Sequence, residues 1–440
     1  MSHRTARRIQ LASTAFVLAA AAFGYGLAVE RYQIWPFQLI RDCSYVVQSM
    51  VRFGEIVPPG RRSEPRPGTP RQAITIHDAS RMSGGQFAFM GSDDAARAYA
   101  VWLYDAAGRK LHTWHVDYRA LDPDGSANGT DMPHALLVMR DGSLLVSFDG
   151  GDLMARLDAC SKPVWIREGI FPHAMTAADD GTVWTWRAEG SHYAQYHYLL
   201  NFDPATGATI REIGLIEDIV QRLGPQAAVF GIRPDYPFQH IKGDPERRSE
   251  VDLFHPNDVD VLTADLAPRF PQFKPGDLLV SFREISLVAV IDPDTRELKW
   301  WNVGPWIEQH DPDFLPDGRI SVYSNNPYRG RSEILKIDPQ SRAIANDLYG
   351  GNVRFYSASM GSHQYLPNGT VLITVPDEGR VLLVSEHGNP IMEFNNVSSL
   401  HPRFNEHVEN AVWLPTDYFA APPQCDRGRE LTTRLEPDDR

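Results

Sequence analysis

Cysteine is scarce in this chain. Its 440 residues hold three, Cys43, Cys160 and Cys425, and their spacing matches no zinc or iron–sulfur ligand set. A disulfide tying Cys43 to Cys425 in an oxidising compartment and a set of unpaired thiols both fit the count. Positive charge is short as well: 43 Lys and Arg stand against 56 Asp and Glu, a net charge of −13. That balance argues against nucleic acid, or an anionic membrane surface, as the main partner. An anionic substrate would need a local basic pocket set into an acidic body. Long apolar runs are missing too, with one exception, Leu11 to Val29, which follows Arg4, Arg7 and Arg8. Its length suits a bilayer crossing, the arginines would hold the N-terminus in the cytoplasm, and Tyr32, Trp35 and Phe37 would form an interfacial belt. The alternative is a cleaved secretory signal, for which Ala19–Ala22 offer small residues. Either way the remainder lies outside the cytoplasm.

What the chain has in quantity is turn residues, 33 Gly and 33 Pro, beside 42% hydrophobic content. These suit a turn-rich all-β protein with a large core. A repeat sets the architecture. Apolar runs end in Asp, turn, and resume: VWLYDAAGRKLHTW, MARLDACSKPVWI, LNFDPATGATIREI, VAVIDPDTRELKWW, ILKIDPQSRAIANDL and, with serine in the Asp place, LLVSEHGNPIMEF. The anchors are Asp105, Asp158, Asp203, Asp292, Asp338 and Ser385, mostly 45 to 53 residues apart, with one longer interval. Six such copies predict a six-bladed β-propeller behind an N-terminal transmembrane or signal-anchor helix. The first blade lacks an inner strand, and HVENAVWLPTDYF near the C-terminus reads as the strand that closes the ring and removes a sheet edge.

The domain map follows. Residues 1–53 hold the basic tip, the membrane helix and a juxtamembrane segment, and 54–72 form a Pro-rich linker. The propeller spans 73–420 with an insertion at about 217–252, and 421–440 form a polar tail. The insertion starts with a short amphipathic helix in GLIEDIVQRLG and continues as a loop leading into His255. Such a long loop suits a lid over the channel mouth or a surface decoration.

A histidine recurs at one point of the repeat. His134 opens HALLVMRDG, His173 opens HAMTAADDG, His255 opens HPNDVDVL, His310 opens HDPDFLPDG and His363 opens HQYLPNG. In a propeller the first strand of each blade lines the central channel, so these imidazoles converge. The end of each second strand returns to the same rim, bringing Arg187, Arg283 and the pair Asn325 and Asn326. His134 and His173 precede ordinary apolar strand, which suits pocket wall. His255 and His310 have Asn257, Asp258, Gln309 and Asp311 as neighbours able to fix an imidazole tautomer. His363 begins two residues later than its counterparts, a shift that keeps its side-chain parity and sets it one step deeper. Arg283 reads as an oxyanion clamp or as a partner of Glu284; Arg329 and Arg331 invite the same two readings.

The order HPNDVD, LLVSFRE, WWNVG, QHDPDFLPDG, SVYSNN, RGRS and GSHQYLPNGTVLI resembles the bacterial arylsulfotransferase family. The resemblance implies a periplasmic propeller, facing away from the inner-membrane anchor. It would move a sulfuryl group from an aryl sulfate to a phenol without a nucleotide sulfate donor. It implies a transiently sulfated histidine, with His363 as nucleophile, His255 and His310 handling oxyanion and phenol, and Arg283 and Arg331 as the charge clamp. Asn257, Asn325, Asn326, Arg329, His173 and His134 would then contact substrate. No cofactor and no metal ligand are assigned. The partners expected are small phenols, aryl sulfates and, through the helix, the membrane. The chain departs from the family in having no room for an N-terminal β-domain. Two other readings stay open. One is a metal held by the channel imidazoles, which nearby arginines oppose; the other is a non-catalytic anchored propeller that binds a ligand or partner.

Overall fold

The structure is a computed structural model. It describes residues 3–32, 35–36, 62–63, 72–123, 132–149, 152–190, 197–231, 253–327, 330–349, 353–425 and 433–435. The chain divides into two compact units. The first contains the helix His3–Tyr32. Within it Gln10–Val29, 20 residues of mean hydropathy 1.7, is long and apolar enough to cross a membrane. Its large apolar side chains, among them Leu11, Phe16 and Phe23, are exposed.

The second unit is all-β, with six blades in a propeller. Blade two runs Met132–Val138, Leu144–Asp149, Leu153–Leu157 and Pro163–Glu168. Blade three begins at Met175–Ala177, blade four at Pro256–Val261, blade five at His310–Phe314 and blade six at His363–Tyr365. Blade one takes its inner strand from the other end of the chain: Val408–Leu414 pairs antiparallel with Gln86–Asp93, Val408 opposite Gly91 and Leu414 opposite Gln86. Closure joins the ring non-covalently and leaves no inner edge open.

The repeated Asp has a local cause. Each anchor side chain accepts backbone N–H bonds from the turn that follows it. Asp105 binds Ala107 and Arg109 at 3.0 and 2.9 Å, Asp158 binds Cys160 and Lys162 at 2.8 and 2.9 Å, and Asp338 binds Gln340 and Ser341 at 2.8 and 2.9 Å. The Ser385 hydroxyl does the same for His387 and Asn389. A short acceptor that organises its own turn is favoured there over any apolar residue. Between blades the strands pack on both faces. Leu278–Phe282, Leu287–Ile291 and Val371–Val375 are buried at every position. Separate apolar clusters fill the six gaps; Trp184, Trp186 and Leu199 of blade three, for instance, meet Val259, Val280 and Phe282 of blade four.

Several edges are covered. Ile74–Ile76 pairs with the outer strand of blade six, Thr433–Leu435 lies parallel to that of blade two, and Arg62–Ser63 pairs with Asn405–Glu406. Neither arrangement expected for the cysteines, a Cys43–Cys425 disulfide or a set of unpaired thiols, is what forms: Cys425 is bonded to Cys160 in the turn before the outer strand of blade two. Cys43 lies outside the described residues. The helix expected in GLIEDIVQRLG is instead a π-helical turn, Leu215–Ile219, followed by short 3₁₀ turns to Gly231. Leu215, Ile219, Val229 and Phe230 bury against blades three and four. The remainder of the insertion, 232–252, and with it the lid, lies outside the described residues.

Candidate active site

The inner strands carry a shared irregularity. In blades one, two, four and five the pairing skips at Glu409, His134, Asn257 and the pair Asp311 and Pro312. A bulge frees one residue from the ladder and re-aims its side chain. His255, Glu308, Asp311, Asn326 and Met360 also adopt positive φ, between 46° and 60°. Such backbone costs on the order of 1–3 kcal/mol per residue and persists where surrounding contacts over-determine it.

These devices gather four imidazoles at the rim. His134 Nε2 lies 2.9 Å from His173 Nδ1, and the His173 and His255 rings stand 4.8 Å apart. His310 shares their electrostatic environment, together with Arg283. Behind His134 is a residue the histidine pattern did not reveal. Glu409, at the start of the closing strand, meets His134 Nδ1 at 2.5 Å through Oε1 and His407 Nε2 at 2.6 Å through Oε2. Burial pushes its carboxyl up, but attraction and hydrogen bonding from His134 and His407 outweigh it and bring it to about 2. Glu409 is therefore an anion, and Glu409, His134 and His173 form one line along which a proton can shift. Burial, reinforced by the neighbouring imidazoles and Arg283, pushes His173 well below the usual histidine range, so it is neutral.

His310 is fixed differently. Its Nδ1 lies 2.8 Å from Asn325 Oδ1 and 3.1 Å from the Glu308 carbonyl. The Asn325 amide is itself oriented, because its Nδ2 donates to the carbonyls of Met360 and Ser357 at 2.6 and 3.0 Å. Two acceptors around Nδ1 require the proton there, which leaves Nε2 with its lone pair. Burial, and next the charge of Arg283, lower His310 to about 3. It too is neutral near pH 7, with one nucleophilic nitrogen.

The remaining expected residues divide. Arg283 lies close enough to act on His173 and His310, and its guanidinium pairs with Glu284 Oε1 at 2.5 and 3.1 Å. Asn257 donates to the Gln309 carbonyl at 2.7 Å, tying blade four to blade five beneath the rim. Asn326 turns away and donates to Glu333 at 2.8 Å. Arg331 is exposed, and Arg329 lies outside the described residues. Arg187 leaves the rim for Glu212 at 2.7 and 3.0 Å and the Tyr198 ring.

His363 is not among the rim imidazoles. Its side chain is fully buried, with Nδ1 2.8 Å from Asp311 Oδ2 and Nε2 3.9 Å from Asp313. Nε2 also lies 2.7 Å from Ser321 Oγ, and its backbone N–H donates to Asp311. This is a second, acidic layer further along the inner strands. Burial first, then the charge of Asp311, hold Asp258 and Asp313 well above the usual carboxylate range. Burial, against bonds from Phe314 and Val261, raises Asp260 to about 6. Asp313 is 31% exposed and has the aspartates Asp258, Asp260 and Asp311 as charged neighbours.

Fold and rim together define a propeller whose channel mouth is an imidazole cluster backed by a carboxylate and a guanidinium. The profile of the arylsulfotransferase (ASST) family matches residues 135–397, more than half of the chain, and the chain belongs to that family. No protein of curated function matches it. Among solved structures it is similar to a protein of unknown function from Bacteroides caccae, at 11% identity and a TM-score of 0.46, covering 75% of this chain and 98% of that one. TolB from Acinetobacter baumannii matches at 13% identity and a TM-score of 0.44, over 75% and 67% of the two chains. A virginiamycin B lyase from Staphylococcus aureus matches at 12% identity and a TM-score of 0.39, over 73% and 87%.

Proposed function

We propose that the protein transfers a sulfuryl group from an aryl sulfate to a small phenol at the rim of the propeller channel, through a sulfohistidine formed on His310. Membership of the arylsulfotransferase family supports the reaction class. The observation that carries the residue assignment is the Asn325–His310 pair, because it leaves the lone pair of His310 on Nε2. His363, whose two ring nitrogens both face the acidic layer, suits a nucleophile less well.

In the first half-reaction His310 Nε2 attacks sulfur, an N–S bond forms and the S–O bond to the aryl group breaks. The departing phenolate takes a proton from His173, which is resupplied from a His134 imidazolium that the Glu409 carboxylate would hold in its charged form. Nδ1–H of the sulfated ring is more acidic than before and stays on the ring, and its hydrogen bond to Asn325 Oδ1 strengthens. In the second half-reaction a phenol returns the proton to the same line and attacks sulfur, and the N–S bond breaks. Arg283 and His255 would bind the sulfuryl oxygens, in a dry site where such contacts gain strength. Arg283 beside the imidazoles also disfavours a resident metal cation among them.

The compartment follows from two observations. Arg4, Arg7 and Arg8 ahead of an apolar helix suit a cytoplasmic N-terminus, and the Cys160–Cys425 bond suits an oxidising space. We therefore put the propeller on the periplasmic side of a bacterial inner membrane.

The test is transfer from 4-nitrophenyl sulfate to phenol by purified protein, with acid-labile sulfate trapped on a single histidine. His310→Ala should abolish both. Turnover and trapping that survive His310→Ala but vanish in His363→Ala would return the nucleophile to His363. Absence of transfer from every aryl sulfate offered would favour a binding propeller.

A further inference from the structure

The acidic layer has no part in the reaction above, and its geometry is that of a ligand set. From it we infer a divalent-cation site formed by Asp311 and Asp313 of blade five and His363 of blade six. One ligand atom from each lies within 4.8 Å of the others, and among the described residues this is the one group of three or more such side chains that does so.

Three further observations point to an ion rather than to a simple histidine–carboxylate pair. First, His363 Nδ1 is buried without a hydrogen-bond partner, although Asp311 Oδ2 is 2.8 Å away. Close approach without donor geometry is what two ligands of one ion show: bonds of about 2.1 Å at right angles set neighbouring donors roughly 3 Å apart. Secondly, Nε2 is held by Ser321 Oγ at 2.7 Å, which fixes the ring with Nδ1 toward Asp311 while Asp313 stands 3.9 Å from Nε2, as outer partners of ligating histidines fix their rings. Thirdly, Asp258 and Asp260 face the same level from blade four. Among the described residues no lysine or arginine pairs with any of these four aspartates. Buried carboxylates in such company need a cation or protons.

The strand itself is bent to serve the site. Asp311 has φ of 51° and stands in the bulge of its strand, which turns its carboxylate toward His363 of the next blade. Two carboxylate oxygens and one imidazole nitrogen favour a borderline-hard ion, for which Mn²⁺ is the fitting probe and Zn²⁺ the competitor. Bound there, the ion would tie blade five to blade six and neutralise the layer beneath the imidazole cluster. It would be a separate site from the rim.

The experiment uses the whole chain, stripped with EDTA, desalted and titrated with MnCl₂ by calorimetry and electron paramagnetic resonance, with no aryl sulfate present. Failure of sulfuryl transfer therefore has no bearing on the result. One Mn²⁺ per chain is expected, with a rise in thermal midpoint on binding. Affinity should fall roughly tenfold or more in Asp313→Asn and in His363→Gln. Asp313→Asn keeps the size of the side chain and relieves a crowded set of carboxyl groups, so its metal-free form should unfold no earlier than the metal-free parent, while gaining nothing from Mn²⁺. Folded wild-type protein that takes up no Mn²⁺ or Zn²⁺ overturns the inference. So does equal affinity in wild type and both variants, since the ion would then sit elsewhere.

Discussion

The amide oxygen of Asn325 sits 2.8 Å from Nδ1 of His310 and cannot exchange places with its own nitrogen, because that nitrogen is committed to the carbonyls of Met360 and Ser357. A tautomer is thereby chosen by three backbone and side-chain partners outside the reaction. Replacing Asn325 with alanine leaves the longer contact to the Glu308 carbonyl as the remaining hold on that tautomer and removes a buried hydrogen bond worth about 1–3 kcal/mol, so kcat for aryl sulfate turnover should fall roughly 10- to 100-fold. Asn325→Asp is the sharper check. A carboxylate beside Nδ1 stabilises the imidazolium, so the acid limb of the pH–rate profile should move to higher pH. An unmoved limb would separate Asn325 from the titration of His310.

Glu409 and His134 predict a dependence on the leaving group. If the line from Glu409 through His134 to His173 supplies the proton, Glu409→Gln should cost on the order of 10²-fold in kcat/KM for phenyl sulfate. The loss should be small for 4-nitrophenyl sulfate, whose phenolate leaves without help. Equal losses across a series of aryl sulfates would give Glu409 a purely structural role.

The periodicity of the sequence held the ring, the blade number and the closing strand, because each depends on local signals: an acceptor that organises its own turn at Asp105 or Asp338, and two-sided apolar strands such as Leu278–Phe282. The convergence of His134, His173, His255 and His310 was legible for the same reason. Their division of labour was not. It rests on bulges at His134, Asn257 and Glu409 that depend on cross-strand pairing, and on a sixth histidine, His407, contributed from the far end of the chain. HVEN does open with the recurring histidine, so that member had a signal. The acidic layer had one too, in the alternate aspartates of NDVD and HDPD, which read as support for the histidines until the fold stacked them beside His363. The disulfide had none, since three cysteines allow three pairings.

Neutral His310 predicts acid sensitivity. Its folded value of about 3 lies below the ordinary histidine value of about 6.5, so between those limits the unfolded chain binds the extra proton and stability rises with pH. The contribution is whole above about pH 6.5 and is lost as pH falls through 3, up to roughly 5 kcal/mol in all. Urea unfolding of His310→Gln should therefore show a shallower loss of stability across that window than the parent. Parallel curves would show that His310 titrates alike in both states.

The ring closure should be sensitive at Gly91. A Cβ on this residue would meet the carbonyl oxygen of His407 at 2.6 Å and Asn396 Nδ2 at 2.9 Å, where the closing strand begins. Backbone cannot retreat there without parting Val408 from Gly91. Gly91→Ala should cost about 1–3 kcal/mol as overpacking, seen as a lower urea midpoint with an unchanged slope. Gly181→Ala is a useful contrast, because nothing lies within 4 Å of its Cβ position and only its positive φ of 82° opposes the change.

The bond between Cys160 and Cys425 spans 265 residues of sequence and fastens the chain beyond the closing strand to blade two. Opening it frees that end to part from the ring, so unfolding can begin with Val408–Leu414 leaving Gln86–Asp93. Cys160→Ser should lower stability by about 2–5 kcal/mol, the usual range for a native disulfide, and Cys425→Ser should match it. The double variant should be no worse than either single one, because both remove the same covalent link. Thermal midpoints that are equal in wild type and Cys160→Ser under oxidising conditions would leave closure to the strand alone. A tryptic digest without reductant that joins Cys43 to Cys425 instead would overturn the pairing.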